Sequence, residues 1–173
     1  NHLNILENKS TSVIFVSRSD GTPDFIPYRS ADCCIYEEQI SSEILSNTKI
    51  FHTTCFALSK NPAQKTILKK AQEAHDLGCK LSIDLNYAKK LRKSQKKAFK
   101  VIKTYCQFNP LIKISEDDML RLFEKELPHE EIFEFFHHQG VDTVCLTLGS
   151  KGVKLSQKGK EVIQMPAIKI DKV

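Results

Sequence analysis

The residues best suited to chemistry fall in three short stretches. The last, Val144-Cys-Leu-Thr147-Leu-Gly149-Ser-Lys-Gly152-Val, is an apolar run that reads as a buried strand, broken by two glycines three apart and then resumed. Without side chains at Gly149 and Gly152 the backbone can take φ > 0 and let a ligand approach closely, its N–H groups can point at an anion, and Thr147 adds a hydroxyl. Such a turn can hold phosphate. Taken alone, the same pattern is an ordinary hairpin. Upstream, Ile83-Asp84-Leu85-Asn86-Tyr87 ends one predicted strand and Lys113-Ile-Ser115-Glu-Asp-Asp118 ends the next. Each has a structural reading beside the chemical one. Asp84 and Asn86 suit an Asx turn. Ser115 and Asp118 have the spacing of a helix capping box, and Lys113 can be a solvated cation leaving a strand.

The order Asp-x-Asn-Tyr, then Lys-x-Ser-x-x-acid, then Thr-Leu-Gly-x-x-Gly resembles the middle of a ribokinase-like sugar kinase, the PfkB family, on its fructokinase and 2-keto-3-deoxygluconate kinase side. The resemblance covers nearly the whole chain. Asp20-Gly21-Thr-Pro-Asp-Phe-Ile-Pro-Tyr28-Arg29-Ser-Ala-Asp32 is similar to the lid segment in which that family carries a Tyr-Arg pair near the sugar, and Thr48 to Leu58 to the strand that follows. The resemblance implies transfer of the γ-phosphate of ATP, with Mg2+, to a hydroxyl of a small carbohydrate. That reaction needs in-line positioning, neutralisation of phosphoryl oxygens and a base.

The same resemblance implies roles. Tyr28, Arg29, Asp84 and Asn86 would contact the sugar, and Lys113, Ser115, Thr147, Gly149 and Gly152 the nucleotide. Asp118 would help organise magnesium and its waters, although it is a shorter acid than the family's usual glutamate. Ala88 stands where the family places an arginine, followed by Lys89 and Lys90. Lysine lacks arginine's planar fork, which favours a neutral sugar over a sugar acid. The family's base is an aspartate in Gly-Ala-Gly-Asp. None of the six glycines (21, 78, 140, 149, 152, 159) begins a Gly-x-Gly-Asp. The base is therefore expected beyond Val173, the N-terminal sugar grip before Asn1, and the chain reads as an internal portion of a longer kinase, inactive by itself. Family lids often pair between subunits, which implies a homodimer through the lid. Two other readings stand beside this one: a kinase-like module that binds nucleotide or sugar without catalysis, and a basic nucleic-acid-binding domain.

Composition sets bounds. At 173 residues, 40% hydrophobic and 27% charged, the chain is globular material for one domain or part of one. The net charge of +5 is concentrated between Lys89 and Lys103, with eight basic residues and no acidic one. A basic stripe can track nucleic-acid phosphates, but here Ala98, Ile102 and Tyr105 give the segment an apolar helical face and few aromatics interleave to stack bases. That favours a solvated helix surface. No apolar run approaches the roughly 18 residues of a membrane span, and no signal-peptide pattern opens the chain, so the expected location is cytoplasmic. Cysteines 33, 34, 55, 79, 106 and 145 lack metal-binding spacing and read as free thiols. Glu130, Glu134 and His138 recur at helical spacing beside Glu131 and His137, as on a solvated helix rather than a metal site.

Elements that could position these residues alternate. Thr11 to Arg18 and Asp24 to Arg29 read as strands joined across the turn Ser19-Asp20-Gly21-Thr22-Pro23, a lid hairpin within roughly residues 11–32. From roughly residue 48 to 173 an α/β core follows: strand Ile50 to Leu58, a helix capped by Asn61 with Pro62 as its first residue, strand Cys79 to Asp84, helix Ser94 to Gln107, strand Leu111 to Ile114, and helix Ser115 to Phe123. A helix from Pro128 to Gly140 and strand Val141 to Leu148 complete the alternation. Gly152 to Ser156, Lys160 to Met165 and Ile168 to Ile170 read as edge strands. The expected fold is the ribokinase-like three-layer α/β/α sandwich with a mainly parallel sheet, whose ligands bind outside the strands' carboxyl ends.

Overall fold

The computed structural model describes residues 4–17, 24–87 and 94–169. Two sheets are present among them. Strands β1 (Val13–Ser17) and β2 (Asp24–Tyr28) pair antiparallel in a sheet of their own. The second sheet holds β3 (Ile50–Thr54), β4 (Lys80–Asp84), β5 (Leu111–Ser115), β6 (Thr143–Thr147), β7 (Val153–Gln157) and β8 (Ile163–Met165), side by side in chain order. From β3 to β6 the pairing is parallel, and β7 and β8 continue antiparallel.

Parallel neighbours need a crossover, and each has one. Helix α1 (Ser42–Ser46) precedes β3, and α2 (Ala63–Asp76) links β3 to β4. Helix α3 (Gln95–Cys106) links β4 to β5, while α4 (Glu116–Phe123) and α5 (His129–His138) link β5 to β6. The strand sequences explain their place. Leu81 and Ile83, Ile112 and Ile114, and Val144 and Leu146 alternate at period two and are all buried. They join Ala71, Ile102, Tyr105, Leu122, Ile132 and Phe136 from the helices in one core. Ser94 caps α3 by accepting from the Lys97 N–H, and α3 buries Ala98, Ile102, Tyr105 and Cys106. Its lysines at 96, 97, 100 and 103 face outward. The solvated basic face is seen there, while Lys89, Lys90, Arg92 and Lys93 lie outside the described residues.

Several boundaries differ from expectation for local reasons. The strand expected to reach Leu58 stops at Thr54, because Ala57–Ser59 form a 3-10 turn with the Thr54 hydroxyl accepting from the Ala57 N–H. Pro62 is itself the N-cap of α2, one position later than expected. Ile168 and Lys169 are not in a strand. The turn Ser19 to Pro23 and the position of Ala88 lie outside the described residues. Helix α1, with Ser41 as its cap, carried too short an apolar pattern to be expected at all. Among the described residues no helix is long and apolar enough to cross a membrane.

Candidate active site at the strand ends

Parallel register brings the three sequence stretches onto one rim. Asp84 ends β4 opposite Lys113 of β5, and Ser115 ends β5 opposite Thr147 of β6. The Lys113 ammonium donates to both carboxylate oxygens of Asp84, at 3.0 and 3.2 Å. Both side chains remain about one-third exposed, so solvent screens the pair and a ligand can reach either member. The Asx turn is also formed: Asp84 Oδ1 accepts from the Asn86 N–H at 3.2 Å. Asn86 takes φ 22°, a conformation asparagine tolerates better than most residues, and it is exposed.

Ser115 and Asp118 form the capping box. The Ser115 hydroxyl accepts from the Asp118 N–H at 3.1 Å, and Asp118 Oδ2 accepts from the Ser115 N–H and hydroxyl at 3.1 and 2.6 Å. Asp118 does more than cap. Its other oxygen accepts from the Tyr87 N–H at 2.8 Å, so one buried carboxylate joins the end of β4 to the start of α4. With both oxygens turned to protein donors, Asp118 is not arranged as a direct metal ligand. Among the described residues no cluster of three His, Cys, Asp or Glu side chains could hold a metal ion.

The glycine turn separates its two glycines. Gly149–Lys151 form a 3-10 turn closed by the Leu148 N–H donating to the Gly152 carbonyl at 2.8 Å. Gly149 has φ 56° and open space where a Cβ would point. Gly152 has φ 99°, and a Cβ there would lie 2.0 Å from the Met165 carbonyl oxygen. Its N–H donates to the Gly149 carbonyl at 3.1 Å. Gly152 is thus needed for backbone to pass backbone, whereas Gly149, two residues beyond Thr147, has open space beside it. The first N–H groups of any such turn have no acceptor within it, which makes this opening suitable for an anion.

The hairpin's two candidates differ as well. Tyr28 is 63% exposed and meets Phe15 edge to face at 5.6 Å. Arg29 is tied down: its Nε donates to Asp32 Oδ2 at 2.7 Å, and its Nη1 donates to the Phe56 carbonyl at 2.8 Å and to the Ser59 hydroxyl. The guanidinium also sits 4.0 Å over the Phe56 ring. Phe56 and Ser59 follow β3, so Arg29 fixes the base of the hairpin to the same rim that carries Asp84. Burial pushes the Asp32 carboxyl up, but hydrogen bonds from Ser12 and Arg29 and the guanidinium charge outweigh it and hold it below the usual value. Sequence reasoning missed Phe56 and Ser59 as the partners of Arg29. The i,i+3 spacing of Arg29 and Asp32 was the available signal, and nothing local pointed to residues 27 and 30 positions away.

A strand-end rim with an acid, a cation, an amide and an open glycine turn, with the base of a hairpin tied by Arg29 to the segment after β3, has the chemical groups to hold a phosphorylated ligand against a polar one. Residues 1–173 match the sequence profile described as pfkB family carbohydrate kinase. The chain belongs to the PfkB family. This PfkB chain is 32% identical over 155 residues to an ATP-dependent 6-phosphofructokinase of Thermoanaerobacterium thermosaccharolyticum, a match covering 90% of the chain and 48% of that protein. The solved fructokinase of Halothermothrix orenii superposes with a TM-score of 0.81 at 33% identity, over 94% of this chain and 57% of that one. A fructokinase of Xylella fastidiosa, solved with bound ATP, has the same fold at TM-score 0.81 and 16% identity, over 96% and 52% of the two chains. The fold is ribokinase-like, with a mixed six-stranded sheet and a small antiparallel hairpin sheet. This PfkB chain spans about half the length of the curated relatives it matches.

Proposed function

We propose that this chain is the central portion of a carbohydrate kinase that transfers the γ-phosphate of ATP to a hydroxyl of a small, neutral, fructose-like sugar. The observation that carries the reading is the convergence of Asp84, Asn86, Lys113, Thr147 and Gly149 at the carboxyl ends of adjacent parallel strands, where open α/β sheets bind ligands. The ATP-dependent phosphofructokinase relative supports the nucleotide.

In this reading Thr147 and the open backbone at Gly149 receive phosphate oxygens, and Lys113 supplies a cation. Gly152 and Ser115 hold the turn and the helix start in place. Asp84 and Asn86 orient the sugar, with Tyr28 covering it and Arg29 anchoring the cover. The base is supplied by an aspartate beyond Val173. Magnesium would enter with the nucleotide phosphates, with Asp118 acting only through the backbone it orders. Catalysis then rests on positioning and charge neutralisation by these groups.

The exposed apolar side chains of the hairpin, among them Phe15, Val16, Ile26 and Tyr28, support pairing of two copies through their lids. Six free cysteines go with a reducing, cytoplasmic location. Nucleic acid is not the partner of this reading, and no membrane contact is part of it.

The test is a coupled ADP-release assay with Mg-ATP over fructose, ribose, 2-keto-3-deoxygluconate and nucleosides. The longer polypeptide should turn over a fructose-like sugar. The 173 residues alone should not, since loss of a positioned base typically forfeits about 100- to 10,000-fold in rate. Turnover by the isolated chain would place the base within it. Nucleotide binding without turnover by the longer polypeptide would favour a non-catalytic binding module instead.

A further inference from the structure

A cavity of about 590 Å³ opens on the helical surface, lined by α3, the end of α4, the α4–α5 connection and α5. None of the strand-end residues described above lines it. Its size falls within the range of small-molecule sites, roughly 300–1,000 Å³. Its floor is three phenylalanines from three different segments: Phe99, Phe123 and Phe135. Each ring meets the other two, at centroid separations of 5.4, 5.8 and 5.1 Å. All three are only partly buried, so they present aromatic surface to the opening.

The rim is cationic. Lys96 and Lys103 reach it from α3 and Lys125 from the α4–α5 connection, and the one acid among the lining residues is Glu131. The Lys103 ammonium lies 5.7 Å from the Phe135 ring centroid. Among the described residues none of these lysines is in a salt bridge. The walls are held in register by Gln95, whose amide donates to the Leu122 carbonyl at 2.7 Å and so ties the start of α3 to α4.

We infer that this cavity is a second binding site, for a small planar anion: a flat apolar body bearing a carboxylate, sulfonate or phosphate. The chemistry follows from the two halves of the lining. A flat apolar body covers the ring edges and faces that water now wets. An anionic group on that body meets an excess of two positive charges at the rim. A neutral apolar molecule uses only the floor, a hydrophilic anion only the lysines, and a cation is repelled. The lining shares no residue with the strand-end rim, so occupation does not require ATP or sugar.

The probe is 1-naphthoate, with neutral 1-naphthalenemethanol as its control, titrated calorimetrically into the protein. The expected result is one saturable 1-naphthoate site per chain, weakened by added salt, with the neutral analogue bound about tenfold less tightly or worse. The exposed charge reversals Lys96→Glu with Lys103→Glu should weaken 1-naphthoate by at least about tenfold while the melting curve stays in place. Phe15→Ser in the exposed hairpin should leave it unchanged, separating this site from general apolar stickiness. The inference is overturned by absence of saturable binding at millimolar probe, by equal binding of the neutral analogue, by indifference to the charge reversals, or by loss of binding in the hairpin variant.

Discussion

Lys113 and Asp84 stand side by side on neighbouring strands, with the lysine ammonium 3.0 Å from one carboxylate oxygen and 3.2 Å from the other. The parallel register that pairs the two residues also sets their side chains on the same face of the sheet. In the proposed kinase reading, a phosphate arriving there finds its cation already engaged by an acid that repels phosphate. Asp84→Asn should therefore tighten ATP binding a few-fold while sharply lowering sugar turnover in the longer polypeptide. Lys113→Met should weaken ATP about tenfold. Because the pair is about one-third exposed, each change should move unfolding free energy by no more than about 1 kcal/mol. Nucleotide calorimetry beside urea melts separates the two effects, and weaker ATP binding by Asp84→Asn would contradict the competition.

The two glycines of the turn should fail in opposite ways. Gly152→Ala sets a methyl against the Met165 carbonyl in a backbone conformation that L-residues rarely adopt, and should cost about 3 kcal/mol or more. Gly149→Val meets open space, so its cost is about 1–2 kcal/mol from the left-handed backbone, but its side chain fills the space through which a ligand would near the turn's backbone. Denaturant melts should rank Gly152→Ala as the less stable protein. ATP titrations should show Gly149→Val losing affinity well beyond what its modest instability explains.

Arg29 should behave as an anchor more than as a substrate contact. Arg29→Lys keeps the charge but loses the fork that reaches Asp32, the Phe56 carbonyl and Ser59 together, and should cost about 2–3 kcal/mol. The loss should be local. Hydrogen exchange at Ala31 and Cys33, whose N–H groups bond to Ser10 and Ser30, should accelerate while α3 and α5 keep their protection. Uniform acceleration throughout the chain would instead mean that Arg29 supports the whole fold.

Asp32 gives that anchor a pH dependence. Its carboxyl is held below its ordinary value, near 3.8, so the stabilisation is complete above that value and is lost as pH falls through the lower folded value. Asp32→Asn should be less stable than the parent at pH 7, and the difference should shrink below pH ~3.8 as the parent's carboxylate takes up its proton. Thermal melts of both proteins from pH 7 to pH 3 would show it, and a gap that stays constant across that range would rule it out.

Much of this was legible in the sequence because it rests on local periodicity. The alternation at Leu81 and Ile83, Ile112 and Ile114, and Val144 and Leu146 gave the strands, and their order along the chain gave the shared rim. The Ser115–Asp118 box and the Asp84–Asn86 turn were legible because short polar side chains bond to backbone a few residues away. What escaped depends on contacts between distant segments. Nothing near Gly152 signals that Met165 will pass above it, and nothing near Asp118 signals that its second oxygen will find Tyr87. The resemblance of the lid segment points to Arg29 as a sugar contact, and nothing in it signals the loop 27–30 residues later that holds its guanidinium.

The carboxylate of Asp118 has a bearing on how this PfkB-family fold can be re-engineered. It clasps the backbone of Tyr87 from one loop and Ser115 from the next, so residues 84–87 and 115–118 form a single cassette although 27 residues separate them. Replacing 115–118 by a segment without the acid strands the buried Tyr87 N–H, and replacing 84–87 by one with a different backbone path strands the Asp118 oxygen, each at about 1–3 kcal/mol. Transplanting both halves together keeps the clasp intact, so exchanges at this rim are best made two loops at a time.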